Sequence, residues 1–371
     1  MKILHLLYES KGDYFGIGGV GIRAYEIYRR LKDRHDITLL CKKYPGAADG
    51  YKEGLKHMFV GTESKGLTKT LLSYAYHAAL FTKKYGNEFD IIIEEFSPAI
   101  PTFLHFFTER PLVLQIQGYT GLKYFEKYNF FYSCILYLFE RLRPLWYRNI
   151  IVVSDNTTKR YHLHERKKNI ELVPNGIPKE LLSYEPEESD YILYLGRIDI
   201  HHKGLDILLQ AYGEFCNAVS GIRLVIAGDG RDREKFSGLT ESLPGMVKKN
   251  IELKGWVDGD EKISLLKNAL LVVMPSRYET QGIVALEAMA LGKAVIVSDI
   301  PELSYITGNR AGLSFKTGNA VSLAQSMKDL VASNERREMG QRGRDWVSHY
   351  TWENVALKYE GFLKTVLEVG S

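Results

Sequence analysis

Short apolar runs closed by glycine or proline alternate with longer amphipathic stretches along most of the chain. In the first half, residues 2–8, 37–41, 57–61, 90–93, 112–117 and 150–153 have the length and branched-residue content of strands. Residues 22–31 and 68–85 carry the three-to-four periodicity of helices between them. In the second half, strands are expected at 191–195, 224–227, 251–253, 270–274 and 294–297. Helices are expected at 261–268, 282–291, 321–334, 336–349 and 351–369. Strand and helix in alternation predict an α/β fold of two doubly wound, Rossmann-like domains. Residues 173–190 hold three prolines and an Asn-Gly turn and read as the link between them. The expected domains are therefore 1–172 and 173–350, with the helix 351–371 crossing back to the first.

Within this pattern, residues 270–299 form strand, loop, helix and strand, and ligands sit at the carboxyl ends of such strands. Glu279 lies in the loop and Glu287 lies on the helix, which is apolar nearly all round. A carboxylate on a buried helix needs a partner. A ribose diol would serve Glu287, and sugar hydroxyls would serve Glu279 beside a helix start that favours a phosphate. On this stretch alone, a dipole-complementing Glu279 and a solvent-facing Glu287 explain the pattern equally. Arg197 and Lys203 follow the strand 191–195, and two cations beside a helix start make a diphosphate cradle. His201 and His202 are adjacent and read as loop residues. Asp258-Gly259-Asp260 spells the D-x-D of some metal-dependent sugar transferases, but it precedes a helix and reads as a cap.

In the first half, Gly16, Gly18 and Gly21 spell G-x-G-x-x-G by letter. Residues 9–15 separate them from the strand, and the second strand ends in Lys42 and Lys43 rather than an acid, against nicotinamide binding. Gly18 and Gly19 are the positions where backbone would approach a phosphate or sugar. Glu94, Glu95 and Gln117 fall at strand ends. The two glutamates are acceptor-site candidates or, on the plainer reading, a solvated loop pair. Residues 124–146 are aromatic with arginines at one end, and 70–84 carry tyrosines and end in Lys83-Lys84. Both suit a core helix or one lying on a membrane surface.

The 371 residues, 45% hydrophobic, suffice for two cores, and a net charge of +4 with dispersed basic residues argues against nucleic acid. Three scattered cysteines form neither a disulfide framework nor a zinc site and suit a reducing compartment. The opening residues read as a strand rather than a secretion signal, and no apolar run reaches a membrane span.

Six motifs together resemble glycosyltransferase family four, a group of retaining GT-B enzymes. They are GGVG at 18–21, VPNGI at 173–177, LGRIDIHHKG at 195–204, VIAGDG at 225–230, the E-x7-E run 279–287 and GKAVIVSDIPEL at 292–303. The resemblance implies two Rossmann-like domains facing a cleft. It implies that Arg197 and Lys203 hold the donor diphosphate and Glu287 the ribose. Glu279, with the backbone of Thr280, Gln281, Gly282 and Ile283, would hold the donor sugar, Gly19 would approach from the other domain, and the base would lie near Val257. The family places a histidine before glycine after the strand 112–117, where this chain has Gln117-Gly118. Gln117 can hydrogen-bond a hydroxyl but cannot carry a proton charge. The expected activity is retaining transfer from a UDP- or GDP-linked sugar to a glycan or lipid-linked acceptor, without metal or cofactor. The expected setting is cytoplasmic, on the inner membrane face. A sugar-nucleotide epimerase and a non-catalytic nucleotide-sugar-binding subunit are the alternatives.

Overall fold

The computed structural model describes residues 1–12, 17–64, 66–162 and 168–370. Phe15 and Gly16 of the glycine-rich loop lie outside the described residues. The chain divides into two compact units, Met1–Asn175 with Trp352–Ser371, and Gly176–Thr351.

The first unit holds β1 (Lys2–Leu7), β2 (Asp36–Lys42), β3 (Gly50–Lys52), β4 (Leu55–Val60), β5 (Ile91–Glu95), β6 (Leu112–Ile116), β7 (Asn149–Val152) and β8 (Asn169–Leu172). They form one sheet in the order β3-β4-β2-β1-β5-β6-β7-β8. Only the hairpin β3–β4 is antiparallel. Ile91, Ile92 and Ile93 are all fully buried, as expected of a parallel strand covered on both faces. The strand order reverses between β1 and β5, so their carboxyl ends open a crevice. The helix Trp352–Gly370 packs on the helix Gly19–Leu31, burying Trp352, Tyr359 and Leu363. The Tyr28 and Tyr359 hydroxyls meet at 3.1 Å, and Arg30 Nε donates to Glu353 Oε1 at 2.7 Å.

The second unit holds β9 (Tyr191–Leu195), β10 (Arg223–Ala227), β11 (Ile251–Gly255), β12 (Leu271–Met274), β13 (Val295–Ser298) and β14 (Gly312–Phe315), all parallel, in the order β11-β10-β9-β12-β13-β14. Here the order reverses between β9 and β12. Gly204, at φ +65°, lets the loop after β9 lie against the end of β12. A Cβ there would sit 2.0 Å from the Pro275 carbonyl oxygen.

Most elements fall within two residues of their expected limits. β5 is the important difference: it runs on through Glu94 and Glu95, which are strand residues and not a loop pair. The proline-rich stretch after β8 is not slack where it begins. Fully buried Arg23 donates to the carbonyls of Val173 and Pro174, each at 2.7 Å, and to Asn175 Oδ1 at 3.1 Å.

Candidate active site

In the second unit, the reversal of strand order brings Lys203 and Glu279 together. Asp199 starts the first loop's turn: its Oδ1 accepts from His202 N at 3.0 Å and its carbonyl from Lys203 N at 2.9 Å. Arg277 ties the second loop to it, donating to both oxygens of Asp206 at 2.8 and 2.7 Å, while its backbone N–H donates to His202 O at 2.9 Å. Held this way, the Lys203 ammonium pairs with Glu279, which also accepts from Ser276 Oγ at 2.9 Å. Arg197 is exposed beside them, and its guanidinium forms no ion pair among the described residues. Its carbonyl is fixed by Tyr194 Oη at 2.9 Å. Burial, with Glu279 close by, pushes the Tyr194 and Tyr305 phenols up, so both stay donors. Tyr305 Oη donates to Gln281 O at 2.7 Å.

The helix Ile283–Ala290 starts at Gly282, which takes φ +73° and leaves the first turn without a side-chain cap. Thr280 is exposed, Gln281 buried and Ile283 half-buried at this end. Glu287 does not face solvent. It is 7% exposed, its Oε1 accepts from Lys262 Nζ at 2.7 Å, and its Oε2 is buried with no hydrogen-bond partner. Lys262, on the helix Gly259–Asn268, is a functional candidate that the sequence pattern did not single out. Val257 is buried, and the ring beside it, Trp256, is exposed. Asp258 occupies the cap position but makes no capping hydrogen bond; its Oδ2 accepts from Trp256 Nε1 at 3.4 Å. Among the described residues no group of three or more His, Cys, Asp or Glu side chains is placed to hold a metal.

In the first unit, the chain's own carboxylate meets the glycine loop. Glu9 Oε2 accepts from Gly18 N at 2.9 Å and Gly21 N at 2.8 Å, at the start of the helix Gly19–Leu31. Burial pushes the Glu9 carboxyl up, against the pull of these N–H groups. Glu94 and Glu95 are both buried, which corrects their reading as a solvated pair. Neighbouring strand residues point to opposite faces, and the two carboxylates have separate partners. Glu94 is bound by Arg143, Tyr147 and Thr102. Glu95 is bound by Gln115 and by Gln117 Nε2, the latter at 3.2 and 3.3 Å from its two oxygens, with His5 Nε2 at 3.4 Å. After β6, Glu140 holds the following loop by accepting from Thr120 N at 2.8 Å and Gly121 N at 2.6 Å.

The helices Leu67–Tyr85 and Phe130–Leu142 show an outer apolar face. Leu72, Tyr76, Leu80, Phe130, Phe131, Ile135 and Leu138 are exposed, and Leu71, Leu72, Ile135 and Phe139 line a groove between the two helices. The aromatic helix is thus only partly a core helix. No described helix is long and apolar enough to cross a membrane.

Two family models match the chain in tandem: Glycosyltransferase Family 4 over residues 17–181 and Glycosyl transferases group 1 over residues 183–346. A phosphatidyl-myo-inositol mannosyltransferase of Mycobacterium leprae is 28% identical over 62% of this chain and 63% of its own length. A lipopolysaccharide 1,2-N-acetylglucosaminetransferase of Salmonella typhimurium is 31% identical over 53% of this chain and 56% of its own. The matched stretches thus span less than two thirds of these relatives. Among solved structures, the sucrose-phosphate synthase of Thermosynechococcus elongatus superposes with a TM-score of 0.79 at 19% identity, covering 99% of each chain. HepE of Anabaena, in complex with UDP and glucose, superposes at 0.76 and 16% identity, over 98% of this chain and 100% of its own. The two family models and the fold agree with the motifs: the chain belongs to glycosyltransferase family four and has the GT-B fold.

Proposed function

We propose that this chain moves a sugar from a UDP- or GDP-linked donor to a hydroxyl of a glycan or lipid-linked acceptor, with retention at the anomeric carbon and without a metal. The observation that carries this reading is the half-satisfied carboxylate of Glu287. Its buried Oε2 has no partner, a costly state that a ribose hydroxyl would relieve. Beside it stand Arg197, Lys203 and the uncapped helix start at Gly282, which are pre-aimed at the charge that grows on a leaving diphosphate. In this picture Glu279 exchanges part of its pairing with Lys203 for hydroxyls of the donor sugar, and Lys203 turns to the diphosphate. The bond from the anomeric carbon to the diphosphate breaks, the acceptor oxygen bonds on the same face, and the acceptor proton passes to the departing phosphate oxygen. The burial of Glu94 and Glu95 under their own partners supports this route over one with a covalent intermediate.

Titration with UDP and with GDP tests the site. Glu287→Gln is expected to weaken nucleotide binding about tenfold or more, the weight of a hydrogen bond to a charged group. Unchanged binding removes Glu287 from the site. Anomeric NMR of the product tests retention, and an inverted linkage rejects it.

The exposed apolar face supports an acceptor met at a membrane surface. The helix Leu67–Tyr85 contains no acidic residue and ends in Lys83 and Lys84, a composition that suits anionic headgroups.

A further inference from the structure

We propose that a cavity at the amino ends of β12 and β13 is a binding site for a small organic anion, whose carboxylate or phosphate is held between Lys293, Arg336 and Arg337. The cavity lies wholly within the unit Gly176–Thr351, at the opposite strand ends from Lys203 and Glu279, and so stands apart from the sugar-transfer reading.

The cavity measures about 340 Å3, enough for a small molecule. Leu270 and Ala294, which stand immediately before the two strands, are buried, and with Pro186 they give it an apolar side. Its other side is cationic. Lys293 lies in the turn before β13 and is 2% exposed. An ammonium carries three donors, yet among the described residues that of Lys293 meets one acceptor, the Glu187 carbonyl. Burial, aided by Arg336 and Arg337 and opposed by Glu188 and Glu187, pushes the Lys293 amine down to about 8. A buried amine left short of acceptors gains from an anion beside it.

Arg336 and Arg337 open the helix Arg336–Val347, whose first turn has no side-chain cap, and such a start favours an anion. The two arginines share one carboxylate, Glu188, through four contacts of 3.2–3.3 Å. Close charge-assisted bonds run to about 2.7–2.9 Å, so Glu188 holds neither guanidinium tightly. Arg336 is also anchored on the carbonyls of Leu330 and Val331, while the Arg337 side chain is 81% exposed. Of the other acids along the cavity, Glu187 pairs with Lys267 Nζ at 2.5 Å, and Glu185 is exposed. Three cations therefore have one loosely shared carboxylate among them.

The test is isothermal titration calorimetry with inorganic phosphate, phenyl phosphate and benzoate at about pH 8 and about pH 6, in two buffers of different ionisation enthalpy. UDP or GDP is present at saturation, and Lys203→Ala is titrated in parallel without nucleotide, so that phosphate in the diphosphate cradle is not counted. An anion beside Lys293 favours the ammonium. Binding near the amine's pKa of about 8 should therefore draw about half a proton from the buffer, and binding at the lower pH almost none. Phenyl phosphate or benzoate is expected to bind more tightly than inorganic phosphate, because the apolar side takes the ring, and the tighter of the two assigns the head group. Lys293→Met should weaken that binding about tenfold or more and abolish the proton uptake. Arg337→Gln, at an exposed side chain, should weaken binding with an unchanged melting temperature.

The plainer role of Lys293 is to pin the Glu187 carbonyl, which occupies one of its three donors. In that case Lys293→Met loses stability but binds and takes up protons as wild type does, and the proposal is overturned. It is overturned too if inorganic phosphate binds as tightly as both organic probes, or if neither organic probe binds at about 10 mM. Should Lys293→Met fail to fold, Arg337→Gln decides, and unchanged binding in it rejects the site. A failure of the sugar-transfer reading shows separately, as a wild-type protein that binds neither UDP nor GDP in the same calorimeter.

Discussion

The two sheets each reverse their strand order once, and the two crevices are furnished in opposite ways. At β9 and β12, Lys203 and Lys262 reach partly exposed positions and Arg197 an exposed one, and the lysines pair with Glu279 and Glu287 respectively. At β1 and β5, Glu94 and Glu95 are sunk below the surface, with their oxygens taken by fixed donors. The first arrangement leaves charge for a ligand to exchange. The second uses its charge internally and presents neutral groups. A site that must hold a diphosphate needs the former, and a site that must sort uncharged hydroxyls is better served by the latter.

Breaking the inward pairing should cost the most. Arg143→Met strands Glu94 in the core and should lower unfolding stability by about 3–5 kcal/mol, measured by urea titration. The outward charges should behave differently. Lys203→Ala is expected to reduce kcat/KM about 100-fold, or about 2.7 kcal/mol, while circular dichroism reports an intact fold. An equal loss of stability in Lys203→Ala would erase the distinction. Smaller again is Glu140→Gln. The new amide can accept from only one of the two backbone N–H groups and turns its NH2 against the other, for about 1–2 kcal/mol of stability. At the bottom of the scale, Phe131→Ser on the outer face should change stability by no more than about 0.5 kcal/mol. It should still reduce co-sedimentation with anionic vesicles; undiminished sedimentation removes that face from membrane contact.

The sequence conveyed the two crevices unequally, and the reason is range. Glu279, Lys203, Arg197 and Gly282 stand beside strand ends marked by short apolar runs and by glycines that take positive φ. The partner of Glu287 was not legible, because Lys262 comes from a different helix with no local sign of its direction. Glu94 looked like a loop residue since its cation, Arg143, is 49 positions away in sequence. Glu9 gave no sign of bonding back to Gly18, because bends in a glycine-rich loop have no hydrophobic period. The apolar character of 124–146 was plain, but which side of the helix remained bare depended on packing with Leu71 and Pro98.

The return of the helix Trp352–Gly370 to the first unit orders events on the ribosome. Every residue of the unit Gly176–Thr351 has been synthesised before the helix that completes the earlier core exists. Until translation reaches Tyr359, Tyr28 lacks its hydroxyl neighbour, and until it reaches Val366 the apolar side of Gly19–Leu31 lacks part of its cover. The later-made unit can therefore finish folding first, while the amino-terminal unit waits for its last helix.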